Sequence, residues 1–320
     1  MRPADIRLWL PPNVTARGRV TSRAAAVAVA VAAAVALLVA CSGPGPGPSH
    51  PSHPSHPAPP RGVPPVYYLS LGDSLAQGVQ PNQAGLSVET PHGYPDQIYQ
   101  TLRKSHPTLD MVKLGCPGET TVTMINGGLC PYNTGSQLKA AVQFLQQHRG
   151  HVLLVTLDIG ANDPEACSGQ PSFSQLAECA VTGIPSAVTH LATITGELKA
   201  AGPGVRIVGM NYYLPALAEW RKGLSGHAVA WTAEKLAATF NGLLDQVYAK
   251  AGIKVANVFA AFQTSDFSSA STGEPRNVTL LCRWTWACAA PPRGPNQHAN
   301  QAGYQVIARQ FLQTAGLSEP

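Results

Sequence analysis

Two residues far apart in the chain have the side chains that nucleophilic catalysis needs. Ser74 stands in Gly72-Asp73-Ser74, directly after a run of apolar residues, and His298 follows a loop rich in Gly and Pro. A serine hydroxyl is a weak nucleophile near neutral pH, and imidazole suits the task of taking its proton because its pKa lies close to the working pH. A turn with a helix cap would also account for Gly-Asp-Ser, and an isolated histidine is often structural.

The elements that must position these residues alternate along the chain. Short β-branched runs alternate with longer helical stripes from residue 66 onward, which predicts a parallel sheet covered by helices on both faces. The predicted strands are 66–71, 109–114, 152–159, 205–210 and 253–259. In such a sheet the working groups lie beyond the carboxyl ends of the strands. Ser74, Gly118 and Asn162 follow the first three strands, so we expect them to meet at one edge.

Three amphipathic stripes predict helices whose apolar residues face the core. They comprise Leu191, Ile194 and Leu198; Leu236, Phe240, Leu243, Leu244 and Val247; and Tyr304, Ile307, Ala308, Phe311 and Leu312. Because the alternation runs without a break, we predict one domain over residues 66–320. Its expected architecture is a three-layer α/β/α sandwich with a flavodoxin-like parallel sheet of about five strands.

Four short segments, taken together, resemble the sequence blocks of the GDSL, or SGNH, esterase and lipase family. They are Gly72-Asp73-Ser74, LGCPGETT at 114–121, DIGAND at 158–163 and HANQAGY at 298–304, in the order in which the family has them. The resemblance covers roughly residues 66–315. It implies the SGNH hydrolase fold and a carboxylic ester hydrolase that needs neither a cofactor nor a metal.

The resemblance also implies a role for each block. Ser74 would be the nucleophile and His298 the general base. The Ser74 amide, the Gly118 amide and the Asn162 side chain would form the oxyanion hole, which stabilises the charge that develops on the carbonyl oxygen. Asp73 would brace the turn through backbone hydrogen bonds rather than act as an acid. Ordinary turn positions are the alternatives for Gly118 and Asn162.

The segment before the histidine departs from the family pattern. Members of the family commonly have Asp three residues before the histidine, but here that position is Pro295. A backbone carbonyl can accept the Nδ1–H of an imidazole. We therefore predict a dyad of Ser74 and His298 oriented by the Pro295 carbonyl, with the Asn296 side chain as the second candidate. A neutral acceptor stabilises the imidazolium less than a carboxylate does, so a slower enzyme with a lower histidine pKa is expected.

Residues 1–41 have the order of an export signal. Three arginines between residues 17 and 23 precede an uncharged run of Ala, Val and Leu at 24–40. Cys41 resembles the lipid-modified cysteine of bacterial lipoproteins, with Leu38 and Ala40 before it. We predict acylation at Cys41 and a lipid anchor at the outer face of the cytoplasmic membrane. Cleavage with secretion and a retained membrane span are the alternatives.

Residues 42–65 are rich in Pro, Gly, Ser and His and predict an extended stalk. His50, His53 and His56 could hold a metal ion, but a solvated spacer also accounts for them. The formal charge of +5 includes five Arg and one Asp in the first 40 residues, so the rest of the chain is near neutral. Because the chain has no basic stripe, we expect no nucleic-acid partner. We also expect a monomer.

Six cysteines other than Cys41 lie in near-neighbour pairs. Pairing in sequence, in an oxidising compartment, predicts three disulfides: Cys116–Cys130, Cys167–Cys179 and Cys282–Cys288. Zinc binding is the rival, although the chain has no C-x-x-C pair and no matching histidine spacing. The layout resembles exported actinobacterial members of the family, and each bridge would brace a loop that carries one catalytic block.

The leading hypothesis is an exported serine esterase or lipase that acts on small-molecule or lipid esters through an acyl-Ser74 intermediate. A carbohydrate O-deacetylase of the same fold and a surface-displayed binding module without turnover are the alternatives. Trp284 and Trp286, in the loop between the last two cysteines, could line an acyl chain or pack on the domain.

Overall fold

The computed structural model describes residues 65–165, 173–271 and 273–317, without the side chains of residues 164–182. Three predicted features lie outside the described residues: the signal segment with Cys41, the stalk apart from Pro65, and the Cys167–Cys179 disulfide.

The described strands, numbered along the chain, are β1 (Val66–Gly72), β2 (Gln80–Pro81), β3 (Ser87–Val88), β4 (Leu109–Lys113), β5 (Val152–Asp158), β6 (Ile207–Met210) and β7 (Lys254–Ala256). Five of them form a parallel central sheet in the order β4-β1-β5-β6-β7, which confirms the predicted α/β architecture. The short strands β2 and β3 form a separate antiparallel hairpin. The chain passes from β1 to β4 on one side and then to β5 on the other. The carboxyl ends of these three strands therefore meet at a topological switch point, where open α/β sheets bind their ligands.

Helices flank this sheet. Those described are α1 (Tyr94–Leu102), α2 (Thr121–Asn126), α3 (Gln137–Gln147), α4 (Asn162–Glu165), α5 (Phe173–Ala201), α6 (Leu224–Lys250), α7 (Val258–Ala261), α8 (Arg276–Trp284) and α9 (Gln301–Ala315), with a 3₁₀ helix at Pro215–Lys222. Helices α1 and α9 pack together, and the rings of Tyr94 and Phe311 stack with their centroids 4.8 Å apart. Helices α3, α5 and α6 pack in series. Across the described residues, no helix combines the length and the apolarity that a membrane crossing requires.

The five predicted strands all form, and the last of them is shorter than expected. Strand β7 ends at Ala256 because the Asn257 side chain accepts a hydrogen bond from the Ala260 N–H at 2.9 Å. That capping interaction starts α7 at Val258, since an asparagine oxygen satisfies an amide that has no partner in the first turn.

Two of the three predicted stripes are fully buried, and the stripe on α6 is only partly so. Phe240, Leu244 and Val247 are buried, but Leu236 is 62% exposed. The buried face in the first half of α6 carries Ala230 and Glu234 instead. Leu236 lies two residues, or about 200°, further round the helix than Glu234 and so points away from the core. The prediction that Leu236 is a core residue was wrong.

Candidate active site

The Gly72-Asp73-Ser74 turn begins where β1 ends. Gly72 has φ +140°, and a Cβ added there would lie 2.0 Å from the Asp158 carbonyl oxygen on the neighbouring strand. Only glycine fits this position, because any side chain would collide with β5. The Asp73 N–H donates to the same Asp158 carbonyl at 3.1 Å, and the Ser74 carbonyl accepts from the Gln77 N–H at 3.2 Å. These contacts place a half-buried Ser74 beyond the end of β1.

Asp73 is buried beneath this turn. One carboxylate oxygen accepts the Leu75 N–H at 2.9 Å, and the other accepts the Tyr212 hydroxyl at 3.3 Å. Burial raises the pKa of the Asp73 carboxyl to about 6, and the hydrogen bonds oppose that rise. The Asp73 carboxylate therefore braces the turn through Leu75 and joins it to Tyr212, which follows β6.

Ser74 and His298 lie in direct contact although they are 224 residues apart in the chain. The distance between Ser74 Oγ and His298 Nε2 is 3.0 Å, which is hydrogen-bond distance. His298 is only 8% exposed. Burial disfavours the imidazolium and lowers the pKa of His298 to about 4, so the ring is neutral and able to accept a proton near pH 7.

The other ring nitrogen of His298 contacts Asn296. Its Nδ1 lies 2.7 Å from Asn296 Oδ1, and that oxygen also accepts the backbone N–H of His298 at 3.0 Å. The Asn296 amide nitrogen donates to Ser87 Oγ in strand β3 at 3.0 Å. Of the two predicted partners of Nδ1, the Asn296 side chain makes the contact, in place of the Pro295 carbonyl, which was the first candidate. The physical reason is local, since an amide oxygen two residues before the histidine reaches both its backbone N–H and its ring.

The segment around His298 is tied to the loop that follows α8. The Trp286 N–H donates to the His298 carbonyl at 3.0 Å, and the Asn296 N–H donates to the Trp286 carbonyl at 3.1 Å. The Cys282–Cys288 disulfide closes this loop, as predicted. Trp284 packs edge-on against the Phe262 ring, with the centroids 5.1 Å apart, and belongs with the hydrophobic core.

Gly118 lies beyond the end of β4, next to the Gly72 turn. It has φ +83° and is exposed. Two residues earlier, the Cys116 N–H donates to the Gly72 carbonyl at 3.0 Å. The predicted Cys116–Cys130 disulfide is present and closes the loop that carries Gly118.

Asn162 lies beyond the end of β5 and is joined to the residue that follows Gly118. Its side-chain nitrogen donates to the Glu119 carbonyl at 2.9 Å. The next residue, Asp163, accepts the Thr121 N–H at 2.9 Å. The segments that carry Ser74, Gly118 and Asn162 are therefore linked directly, as the position of the three strand ends predicts.

Gln137 contributes to this arrangement and carries no sequence signal that points to it. It is the first residue of α3, fully buried, and hydrogen-bonded to both backbone groups of Gly72.

In the part of the chain that is described, no three His, Cys, Asp or Glu side chains are grouped so that they could hold a metal ion.

Comparison with known proteins decides the family. The model of the GDSL-like lipase/acylhydrolase family matches residues 70–306. The chain belongs to this family. It is accordingly a carboxylic ester hydrolase with the family's α/β fold. No curated protein matched the sequence.

A solved lipase structure shares this fold. An extracellular lipase from Streptomyces rimosus is 17% identical, with a TM-score of 0.51 over 78% of this chain and 99% of the lipase. A phospholipase A1 from Streptomyces albidoflavus is 19% identical, with a TM-score of 0.48 over 78% of this chain and 100% of the phospholipase. An acetylxylan esterase from Geobacillus stearothermophilus is 18% identical, with a TM-score of 0.48 over 79% of this chain and 95% of the esterase. At 17% identity the likeness to the lipase concerns the fold alone.

Proposed function

We propose that this GDSL-family hydrolase cleaves carboxylic esters through an acyl-enzyme intermediate on Ser74, with His298 as the general base. The observation that carries the proposal is the 3.0 Å contact between Ser74 Oγ and the neutral Nε2 of His298. Nε2 takes the hydroxyl proton as Oγ attacks the ester carbonyl, and it returns that proton to the leaving alcohol. Water activated by the same nitrogen then releases the acid and restores Ser74.

The oxyanion that forms during attack needs donors that are already in place. We assign them to the backbone N–H groups of Ser74 and Gly118 and to the Asn162 side chain. An amide nitrogen has two hydrogens. One hydrogen of the Asn162 amide group goes to the Glu119 carbonyl, and we assign the other to the substrate oxygen. The Gly118 N–H belongs to an exposed residue without a Cβ, which allows close approach of a substrate.

An aliphatic acyl group is the substrate chemistry that the surroundings favour. Leu129 is 48% exposed, and its Cδ2 would lie 3.7 Å from a Cβ on Gly118. An exposed apolar side chain thus lies beside Gly118, whose N–H we assign to the oxyanion hole. We propose that it contacts an acyl chain, so that esters of fatty acids are better substrates than sugar acetates.

We also propose that the enzyme is exported and anchored through Cys41. The apolar run between the arginines and Cys41 supports this proposal, and two disulfides in the catalytic domain are consistent with an oxidising compartment. Cys41→Ser removes the site of acylation and should release the protein from the membrane fraction. Unchanged membrane fractionation would favour a retained span over a lipid anchor.

The decisive experiment measures hydrolysis of p-nitrophenyl esters with acyl chains from two to sixteen carbons, together with labelling by a fluorophosphonate. We expect Ser74→Ala to abolish both turnover and labelling, while Ser105→Ala, at an exposed serine, leaves both unchanged. A Ser74→Ala protein that keeps a tenth of the activity would exclude Ser74 as the nucleophile. A best rate on acetate, with activity on acetylated polysaccharide, would favour the deacetylase alternative.

A further inference from the structure

The Gln137 side chain binds both backbone groups of Gly72 at the end of β1, and the Gly72 carbonyl also accepts the Cys116 N–H at 3.0 Å. Gln137 Oε1 accepts the Gly72 N–H at 2.7 Å, and its Nε2 donates to the Gly72 carbonyl at 2.9 Å. Gly72 is the last residue of β1 and lies two residues before Ser74. Because only an oxygen can accept the Gly72 N–H, the two bonds fix which end of the Gln137 amide group is the oxygen and which is the nitrogen.

The second hydrogen on Gln137 Nε2 connects the turn that carries Ser74 to the segment that carries Gly118. It points to Glu119 Oε2, which lies 2.9 Å away. Glu119 directly follows Gly118, is 1% exposed, and accepts the Asn162 amide through its backbone carbonyl. A chain of hydrogen bonds therefore runs from Gly72 through Gln137 and Glu119 to Asn162.

This connection joins the three segments to which the oxyanion donors belong. The donors are useful only if they converge on one oxygen, and a displacement of about 1 Å can cost on the order of 10²-fold in rate. Gln137 and Glu119 are both buried and hydrogen-bonded, which restricts their motion and so the spacing of the segments that they join. Neither side chain belongs to the Ser74–His298 pair.

We propose that Gln137 is a positioning residue that sets the geometry of the oxyanion hole through Gly72 and Glu119. The inference rests on the proposed function, since it concerns the rate of the same ester hydrolysis. Its effect should appear in kcat, because the bonds concern transition-state donors, and not in KM or in the ionisation of His298.

Gln137→Met tests the proposal, since methionine is similar in length and lacks the amide group. We expect kcat on p-nitrophenyl butyrate to fall by about 10- to 100-fold, with KM changed by less than about threefold. The rate of fluorophosphonate labelling should fall in parallel, and the acid limb of the kcat/KM profile should stay where it is in the wild type. Gln143→Met is the matched control, because Gln143 is exposed on the same helix. It should behave as wild type.

A pair of variants at Glu119 provides a second test of the same connection. Glu119→Gln keeps an acceptor oxygen for Gln137 Nε2 and should retain most of the activity, whereas Glu119→Leu removes the acceptor and should lose kcat as Gln137→Met does. Circular dichroism and thermal melts establish the folded fraction of each variant. If Gln137→Met does not fold, the comparison of the two Glu119 variants decides.

The proposal is overturned if folded Gln137→Met, or folded Glu119→Leu in its place, keeps kcat within threefold of wild type, or if the loss equals the loss of folded protein. Failure of the proposed function looks different. In that case the wild type itself does not turn over esters, or Ser74→Ala remains active.

Discussion

Asn296 Oδ1 accepts two hydrogen bonds from His298, one from the backbone N–H at 3.0 Å and one from ring Nδ1 at 2.7 Å. The backbone group can only donate, so it fixes the oxygen of the amide group toward the histidine. That oxygen in turn requires a hydrogen on Nδ1. Nε2 is then the unprotonated nitrogen, and it is the one that faces Ser74 Oγ. One asparagine thus selects the tautomer that can act as a base.

Asn296→Ala should lower kcat by about 10² or more, because the wrong tautomer becomes accessible; spoiling the orienting group of a serine protease triad costs about 10⁴. Asn296→Asp should stay active, since a carboxylate also accepts from Nδ1. It should move the acid limb of kcat/KM to higher pH, because a negative charge stabilises the imidazolium. Steady-state kinetics between pH 4 and 9 measure both effects. An Asn296→Ala enzyme with wild-type kcat would return the orienting role to the Pro295 carbonyl.

The acid limb of the wild-type kcat/KM profile should lie well below the pKa of an ordinary histidine. The base must be neutral, and burial lowers the pKa of His298 to about 4. Activity should therefore persist through pH 6 and 5 and fall as the pH drops through about 4. The profile of kcat/KM reports this pKa in the free enzyme. A midpoint near 6.5 would mean that water reaches the ring more freely than its 8% exposure indicates.

Protein stability changes over the same pH range and must be controlled. His298 binds a proton in the unfolded chain below about pH 6.5 but in the folded chain only below about pH 4. The unfolded state therefore holds more protons between these values, and His298 lowers the free energy of unfolding as the pH falls from 6.5 to 4. The raised pKa of Asp73 acts in the opposite direction between about pH 6 and its ordinary range. Circular dichroism at each pH separates loss of fold from protonation of the base.

Sequence patterns predict most of the fold and single out Ser74 and His298, which lie in contact in the structure. They do not predict contacts between residues far apart in the chain, or contacts that depend on the detailed path of the backbone. Ser74 and His298 stand in motifs, and the five strands follow from β-branched runs. Gln137 has no such signal, because a polar residue at the start of a helix resembles a cap, and its partner Gly72 is 65 residues away. The role of Asn296 depends on how the backbone turns before His298, which residue spacing does not specify.

Asn162→Ala should lower kcat by about 10²- to 10³-fold with little change in KM, because a donor that acts on the oxyanion matters only in the transition state. Kinetics on a short-chain ester measure the effect. Asn133→Ala is a suitable control, since Asn133 is an exposed asparagine. An equal rise in KM and fall in kcat/KM, with kcat unchanged, would show that Asn162 binds substrate in the ground state and is not an oxyanion donor.

Leu129 offers a test of the proposed acyl preference. Its side chain is 48% exposed beside Gly118, so an acyl chain that reaches it would bury apolar surface worth about 0.8 kcal/mol per CH₂. Leu129→Ser should reduce kcat/KM on octanoate esters by about five- to tenfold while leaving acetate esters nearly unchanged, since the acetyl group is too short to make the contact. The ratio of kcat/KM for the two esters measures this directly and is independent of the amount of active enzyme.

Leu236→Ser is the matched control for Leu129→Ser, because Leu236 is an equally apolar and 62% exposed side chain on α6. Its octanoate-to-acetate ratio should equal that of the wild type. A ratio that falls in both variants would point to a general loss of surface hydrophobicity. A ratio unchanged in Leu129→Ser, as in Leu236→Ser, would contradict the proposed contact between Leu129 and the acyl chain.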